Sequence, residues 1–286
     1  MSRLHRLGLV FAAALAVAAC SPEAPSANTA ATPAASTPSQ STTPTNATTP
    51  ADNTPVASRP APVARTPGPI VPPTGPAPVA GTDYVEIPGG TPFKPGEGRI
   101  EVVEVFGYVC PACAAFQPLV NDWKRGLPAD VDFVYVPAPF GPDWIPYAKG
   151  FYVAEAEGLA EPSHDALIHA IHVTQAMPGE GDSPEASDIA AFYAGYGADP
   201  KAFLDKMGSF ATNAKVNRGK QFMMRSGVQS TPTLVVNGKY RVQGKSFADM
   251  LRIADHLVAM ERASMAASPT PAAAVDDAPA SDAGND

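Results

Sequence analysis

Val105-Phe106-Gly107-Tyr108-Val109-Cys110-Pro111-Ala112-Cys113 closes an apolar run on two cysteines two residues apart and leads straight into a helix-forming stretch. A cysteine at the first turn of a helix meets unsatisfied backbone N–H groups and the positive end of the helix dipole. Both favour thiolate over thiol. A second cysteine one turn further in can displace a mixed disulfide and close the pair, which is the chemistry of a two-electron couple. Cys110 therefore reads as the nucleophile, partly exposed, and Cys113 as the buried resolving thiol whose proton burial holds on. Pro111 suits the first helical turn, where its missing N–H has no partner to lose.

Upstream of the motif, Arg99 to Phe106 reads as a strand buried on both faces, with Glu101 and Glu104 interrupting an otherwise apolar run. Downstream, Phe116, Leu119, Val120 and Trp123 recur at helical spacing until Gly126 and Pro128 end the run, and Val131 to Val136 is the next strand. Strand, helix and strand in this order make a right-handed crossover with parallel strands. Tyr84 to Ile87 alternate as a short edge strand, ahead of a Pro/Gly-rich loop. The middle of the domain carries helical patterns over Asp143–Gly158, Ser163–Ala176, Pro184–Gly195 and Asp199–Gly208, broken by Gly and Pro. Strands return at Thr233–Val236 and Lys239–Val242 around the hairpin turn Asn237-Gly238, and Ser246 caps a last helix running to about Arg262.

The 286 residues do not read as one globule. Between Ser21 and Ala80 lie 15 of the 33 prolines, among Ala, Ser and Thr, a composition unable to bury enough surface to offset its ordering entropy. Residues 20–80 are thus expected to be a disordered tether and residues 263–286 a disordered acidic tail, leaving one domain over 81–262. The formal charge of −8 divides into +2 on residues 1–20, zero on 21–80, −6 on 81–262 and −4 on the tail. With no Lys/Arg cluster, nucleic acid is not expected as a partner.

Arg3, His5 and Arg6 precede an apolar run from Leu7 to Ala19, the n-region and h-region of a bacterial export signal over residues 1–19, too short to span a bilayer permanently. It ends Val17-Ala18-Ala19-Cys20, similar to the lipobox of bacterial lipoproteins, in which Cys20 would be acylated. Ordinary cleavage after Ala16-Val17-Ala18 is the alternative. It would release a soluble periplasmic protein and leave Cys20 as a spare thiol in an oxidising compartment, so lipidation is the preferred expectation. Ser21 is compatible with sorting to the outer membrane rather than the inner. A lipid-anchored arm of this composition spans roughly 40–45 Å as a coil and about 190 Å fully extended.

His164, His169 and His172 cluster in the helical block, the last two spaced to share a face. Structural zinc shows a second ligand pair at short spacing, and here the cysteine pair is more than about 50 residues away with no other CxxC. No metal site is expected, and the histidines read as surface or core-edge residues. Tyr108, Phe140 and Trp144 are read mostly as core, with some apolar surface left beside the cysteines for unfolded chains.

The order of elements, together with Glu104-Val105-Phe106-Gly107-Tyr108-Val109-Cys110-Pro111-Ala112-Cys113 and the distant Gly227-Val228-Gln229-Ser230-Thr231-Pro232-Thr233, resembles the DsbA-like branch of the thioredoxin superfamily. The resemblance implies an α/β thioredoxin-like fold with a helical domain inserted at about 143–208. It implies that Pro232 follows a cis peptide bond and faces the cysteines; a cis bond costs little only before proline. It implies that the backbone of Thr231 pairs with an extended substrate, alongside Pro111 and Ala112, and that Glu104 is a buried carboxylate able to relay the proton of Cys113. Ala112 departs from the best-known oxidases of the family, which carry His there, and this points to a milder oxidant.

The expectation is a thiol:disulfide oxidoreductase acting on exported proteins through Cys110 and Cys113, needing no cofactor beyond that bond. Its partners would be reduced or misoxidised exported proteins and a membrane redox partner, quinone-linked if the protein is an oxidant. Isomerase or reductase action stays open, as does a tethered chaperone-like module with a structural cysteine pair.

Overall fold

A computed structural model describes residues 66–94 and 98–267. The expected signal peptide, the acylation site Cys20, the tether up to residue 65 and the tail from residue 268 lie outside the described residues.

Among the described residues, five strands and seven helices follow in chain order: β1 (Tyr84–Glu86), β2 (Ile100–Phe106), α1 (Pro111–Arg125), β3 (Val131–Pro137), α2 (Ile145–Glu157), α3 (Ala160–His172), α4 (Ala186–Ala194), α5 (Pro200–Met207), α6 (Phe210–Arg225), β4 (Thr233–Val236), β5 (Tyr240–Val242) and α7 (Phe247–Ala267). The sheet runs β1-β5-β4-β2-β3, with β2 and β3 parallel and every other neighbour antiparallel. β2 sits between β3 and β4 and is buried along its whole length, as its near-continuous apolar run requires.

Strand alternation sends β2 side chains into two cores. Ile100 and Val102 join Phe116 and Val120 of α1 and Ile253 and Leu257 of α7 on one face of the sheet. Val103 and Val105 join Phe151, Leu167, Ile189 and Phe222 of the inserted helices on the other. Glu104 has the parity of Ile100 and Val102, which directs it to the face that α1 and α7 cover.

The thioredoxin-like fold with a helical insertion is what the sequence implied, with three corrections at its boundaries. The insertion continues beyond residue 208 through α6, a stretch in which Asn213, Asn217 and Gly219 dilute the apolar pattern although Val216, Phe222 and Met223 are buried. α7 runs to Ala267 rather than Arg262. Residues 66–80, expected as part of a disordered tether, instead pack on the domain, because this proline-rich stretch has backbone groups to satisfy and finds partners for them. Gly68 N–H donates to the Leu127 carbonyl at 3.0 Å, the Thr74 carbonyl accepts from His256 at 3.2 Å, and the Pro76 carbonyl accepts from Arg252. This strap lies beside Trp123 and Leu127 at the end of α1 and beside Val258 of α7. Among the described residues no helix is long and apolar enough to cross a membrane.

Candidate active site

α1 opens at Cys110, which takes the N-cap position with extended backbone (φ −77°, ψ 115°) and Pro111 following at the first helical residue. The Cys110 sulfur accepts the Cys113 N–H at 3.4 Å, one of the donors a helix start leaves orphaned. No acidic side chain occupies the first turn to compete for the dipole. The sulfur also lies 3.6 Å from the carbonyl oxygen of Thr231, whose peptide bond to Pro232 is cis, as the resemblance implied. Residues 121 positions apart are thus brought together by the β2–β4 pairing, which sets Val105 opposite Thr233.

The two thiols are unbonded and in different states. Cys110 is pulled down to about 6, first by a hydrogen bond from the Cys113 thiol, then by the Thr231 side-chain hydroxyl and the N–H groups of Cys113 and Ala112, against the opposing effect of burial. Cys113 is pushed far above the ordinary thiol range by donating to Cys110, by burial, and by the charges on Cys110 and Glu104. Cys113 is 2 % exposed, as expected; Cys110, at 7 %, is more enclosed than a partly exposed nucleophile, its flank covered by the Thr231–Pro232 segment.

Glu104 is fully buried, with neither carboxylate oxygen hydrogen-bonded among the described residues. Burial raises it to about 8; the Lys124 ammonium opposes this and the charge on Cys110 adds to it. At neutral pH it is chiefly a carboxylic acid lying within electrostatic reach of both sulfurs.

The turn ahead of Cys110 is gripped by the insertion, a feature the sequence reading did not contain. Gly107 leaves the space that the Trp144 ring fills; a Cβ there would run into the ring. The Tyr108 hydroxyl is 3.0 Å from His164 Nδ1, and the Tyr108 carbonyl is 2.7 Å from His172 Nε2. His164, expected at the surface or core edge, is instead fully buried, stacked on Tyr135 at 4.2 Å and pushed down to about 3 by burial and by Lys124. Their eight-residue spacing, which puts His164 and His172 on one helical face, was the available signal. His169, paired with His172 in the sequence reading, is exposed. Among the described residues no three His, Cys, Asp or Glu side chains converge to hold a metal ion. Tyr108 and Trp144 are core, while Phe140 stays half exposed against Trp144.

A thioredoxin-like sheet, a dithiol capping its first long helix and a cis-proline loop against the outer sulfur together define a thiol–disulfide exchange protein. The family whose sequence model is described as thioredoxin matches residues 97–256. The thiol:disulfide interchange protein DsbA of Pseudomonas aeruginosa is 40% identical over 187 residues, covering 64% of this chain and 86% of that protein. The protein of the same name from Azotobacter vinelandii is 38% identical over 185 residues, 64% and 84% of the two chains. The crystal structure of oxidoreductase DsbA from Xylella fastidiosa superposes with a TM-score of 0.62 at 43% identity, over 65% of this chain and 98% of that one. The chain belongs to the DsbA-like branch of the thioredoxin superfamily and is a protein thiol-disulfide oxidoreductase.

Proposed function

We propose that the protein donates the Cys110–Cys113 disulfide to newly exported polypeptides. The observation that carries this reading is the unequal pair: a Cys110 thiol held near 6 beside a Cys113 thiol held far above the ordinary range. Whatever stabilises the Cys110 thiolate stabilises the reduced form, and a stabilised reduced form makes the disulfide a stronger oxidant.

The reaction balances as two exchanges. A substrate thiolate attacks Cys110 Sγ, the Cys110–Cys113 bond breaks, and Cys113 leaves with the electron pair and takes up a proton. A second substrate thiolate attacks the substrate sulfur of the mixed disulfide, closing the substrate disulfide and releasing Cys110 as thiolate. Two electrons pass from substrate to enzyme. Glu104, protonated at neutral pH and coupled to both sulfurs, is suited to supply and recover the Cys113 proton. The Thr231 backbone, with Pro111 and Ala112, would hold the substrate chain across the dithiol beside the cis Pro232.

Return to the disulfide requires a membrane oxidant, quinone-linked by family resemblance. With Cys20 acylated, the protein would work from the periplasmic face of the envelope, at the outer membrane. Ala112 in place of histidine makes the couple milder than the roughly −120 mV of the strongest oxidants of the family.

Alkylation trapping of the pair in growing cells tests the direction. An oxidase is held as disulfide; a pair found as dithiol makes the protein a reductase or isomerase. Purified oxidised protein should form disulfides in a reduced, unfolded client, and Cys110→Ser should abolish this. Full client-refolding activity in that variant would instead fit a chaperone-like module.

A further inference from the structure

The nucleophile is presented by the turn Gly107 to Cys110, closed by the Cys110 N–H donating to the Gly107 carbonyl at 3.1 Å. The contacts of Trp144 with Gly107 and of His164 with the Tyr108 ring hold this turn by packing and at a side-chain tip. His172 differs in kind, because its partner is the backbone itself. Its Nε2 is 2.7 Å from the Tyr108 carbonyl oxygen, two residues before Cys110. A carbonyl can only accept, so the ring carries its proton on Nε2. Among the described residues no other hydrogen bond reaches that carbonyl, and Tyr108 is buried, so without His172 it would be an orphaned acceptor.

His172 is the last residue of α3 and shares with Val109 and Pro111 the wall of a cavity of about 930 Å³. It stands beside the dithiol and bears on it through the peptide chain. The N-cap geometry of Cys110, with its sulfur on the Cys113 N–H, depends on where that turn is held. We infer that His172 is a positioning residue for disulfide exchange, donating Nε2–H to the Tyr108 carbonyl and so fixing the turn in which Cys110 caps α1. The insertion is then a part of the redox machinery rather than a neighbour of it. Because the Cys110 thiolate is common to oxidation, reduction and isomerisation, the inference holds whichever way electrons flow in the cell.

The test compares His172→Ala, His172→Gln and His169→Ala in the full chain, measuring the exchange equilibrium with glutathione and the pH profile of Cys110 alkylation. Glutamine places an N–H near the position of imidazole Nε2; alanine places none. His172→Ala should weaken the protein as an oxidant about tenfold, equivalent to roughly 30 mV, and move the alkylation midpoint upward. Glutamine should recover most of both, and His169→Ala, exposed on the same helix, should change neither. An alanine variant matching wild type in both measurements overturns the inference, and so does a glutamine variant as impaired as alanine. Should the alanine variant fail to fold, ring ¹⁵N shifts of wild-type His172 decide: a proton on Nε2 supports the assignment, and a ring protonated on Nδ1 alone overturns it.

Discussion

Glu104 and Tyr135 face one another across the parallel β2–β3 ladder, a bare buried carboxyl group opposite a phenol that is itself held from α1. The Tyr135 hydroxyl accepts from Gln117 at 3.0 Å and from Lys124 at 3.3 Å, and the Lys124 ammonium stands 4.7 Å above the ring. The Lys124 ammonium, whose charge opposes the rise at Glu104, also bears on the phenol and on Glu161, and desolvation dominates the carboxyl. A carboxylic acid results beneath the dithiol, where an ion pair would have produced a carboxylate.

This arrangement gives the reduced protein a pH-dependent weakness. In the folded state Glu104 keeps its proton up to about 8, whereas in the unfolded chain it loses it near 4.5. Unfolding therefore releases a proton between those limits, and stability falls as pH rises, by at most about 1.4 kcal/mol for each pH unit. Glu104→Gln, which mimics the protonated form, should be progressively more stable than wild type as pH climbs from 5 to 8. Denaturant unfolding at several pH values checks this; parallel curves for the two proteins would exclude a raised Glu104.

The two thiols should titrate as differently as their surroundings. Alkylation of reduced protein should label Cys110 with a midpoint near 6 and leave Cys113 unmodified at neutral pH. Since the hydrogen bond from Cys113 is the largest influence on Cys110, Cys113→Ala should raise that midpoint, and Cys113→Ser, which keeps a donor, should raise it less. Equal midpoints in the two variants would show that the helix start, not the second thiol, sets the nucleophile.

How much of this was legible in the sequence follows from the range of each interaction. The β2-α1-β3 unit, the Asn237-Gly238 hairpin and the Cys110 cap are local, so spacing and turn chemistry sufficed. The meeting of Cys110 with Thr231 was reached only through family resemblance, because no local pattern reports a contact across 121 residues. α6 was missed because a helix buried on a narrow stripe needs few apolar residues, and Val216, Phe222 and Met223 do not stand out among lysine, arginine and asparagine. The grip of His164 and His172 on Tyr108 is invisible in sequence for a different reason: histidine spacing raises metal binding, whereas their partner is a tyrosine 56 and 64 residues earlier. Residues 66–80 have the composition of a free coil, and only the docking surface of α1 and α7 makes them a strap.

That strap should contribute to stability although it lies outside the residues matched by the family. Gly68 sits against the Gly126 backbone where α1 ends, and a side chain there would run into the Gly126 carbonyl. Gly68→Val in the full chain should lift the strap and cost about 1–3 kcal/mol, through the lost Leu127 hydrogen bond and the exposure of apolar surface around Trp123. Unfolding monitored by tryptophan emission measures it. Unchanged stability and emission would mean that the strap rests on the domain without holding it.

The departure at Ala112 offers the most direct control over oxidising strength. Ala112 lies in the first turn of α1, partly buried against the insertion-side core, and its N–H is among the groups that lower Cys110. An imidazole at this position adds a donor, or a positive charge, close to the Cys110 thiolate and adds nothing comparable to the disulfide. It therefore stabilises the reduced form alone, and the equilibrium shifts toward oxidation of the partner. Ala112→His should raise the potential by at least about 30 mV, a tenfold change in the exchange constant, and lower the Cys110 alkylation midpoint below about 6. Because one thiolate governs both quantities, they must move together. A potential that rises while the midpoint stays fixed would place the effect in the disulfide form, and a potential that does not rise would remove residue 112 as the source of a milder couple.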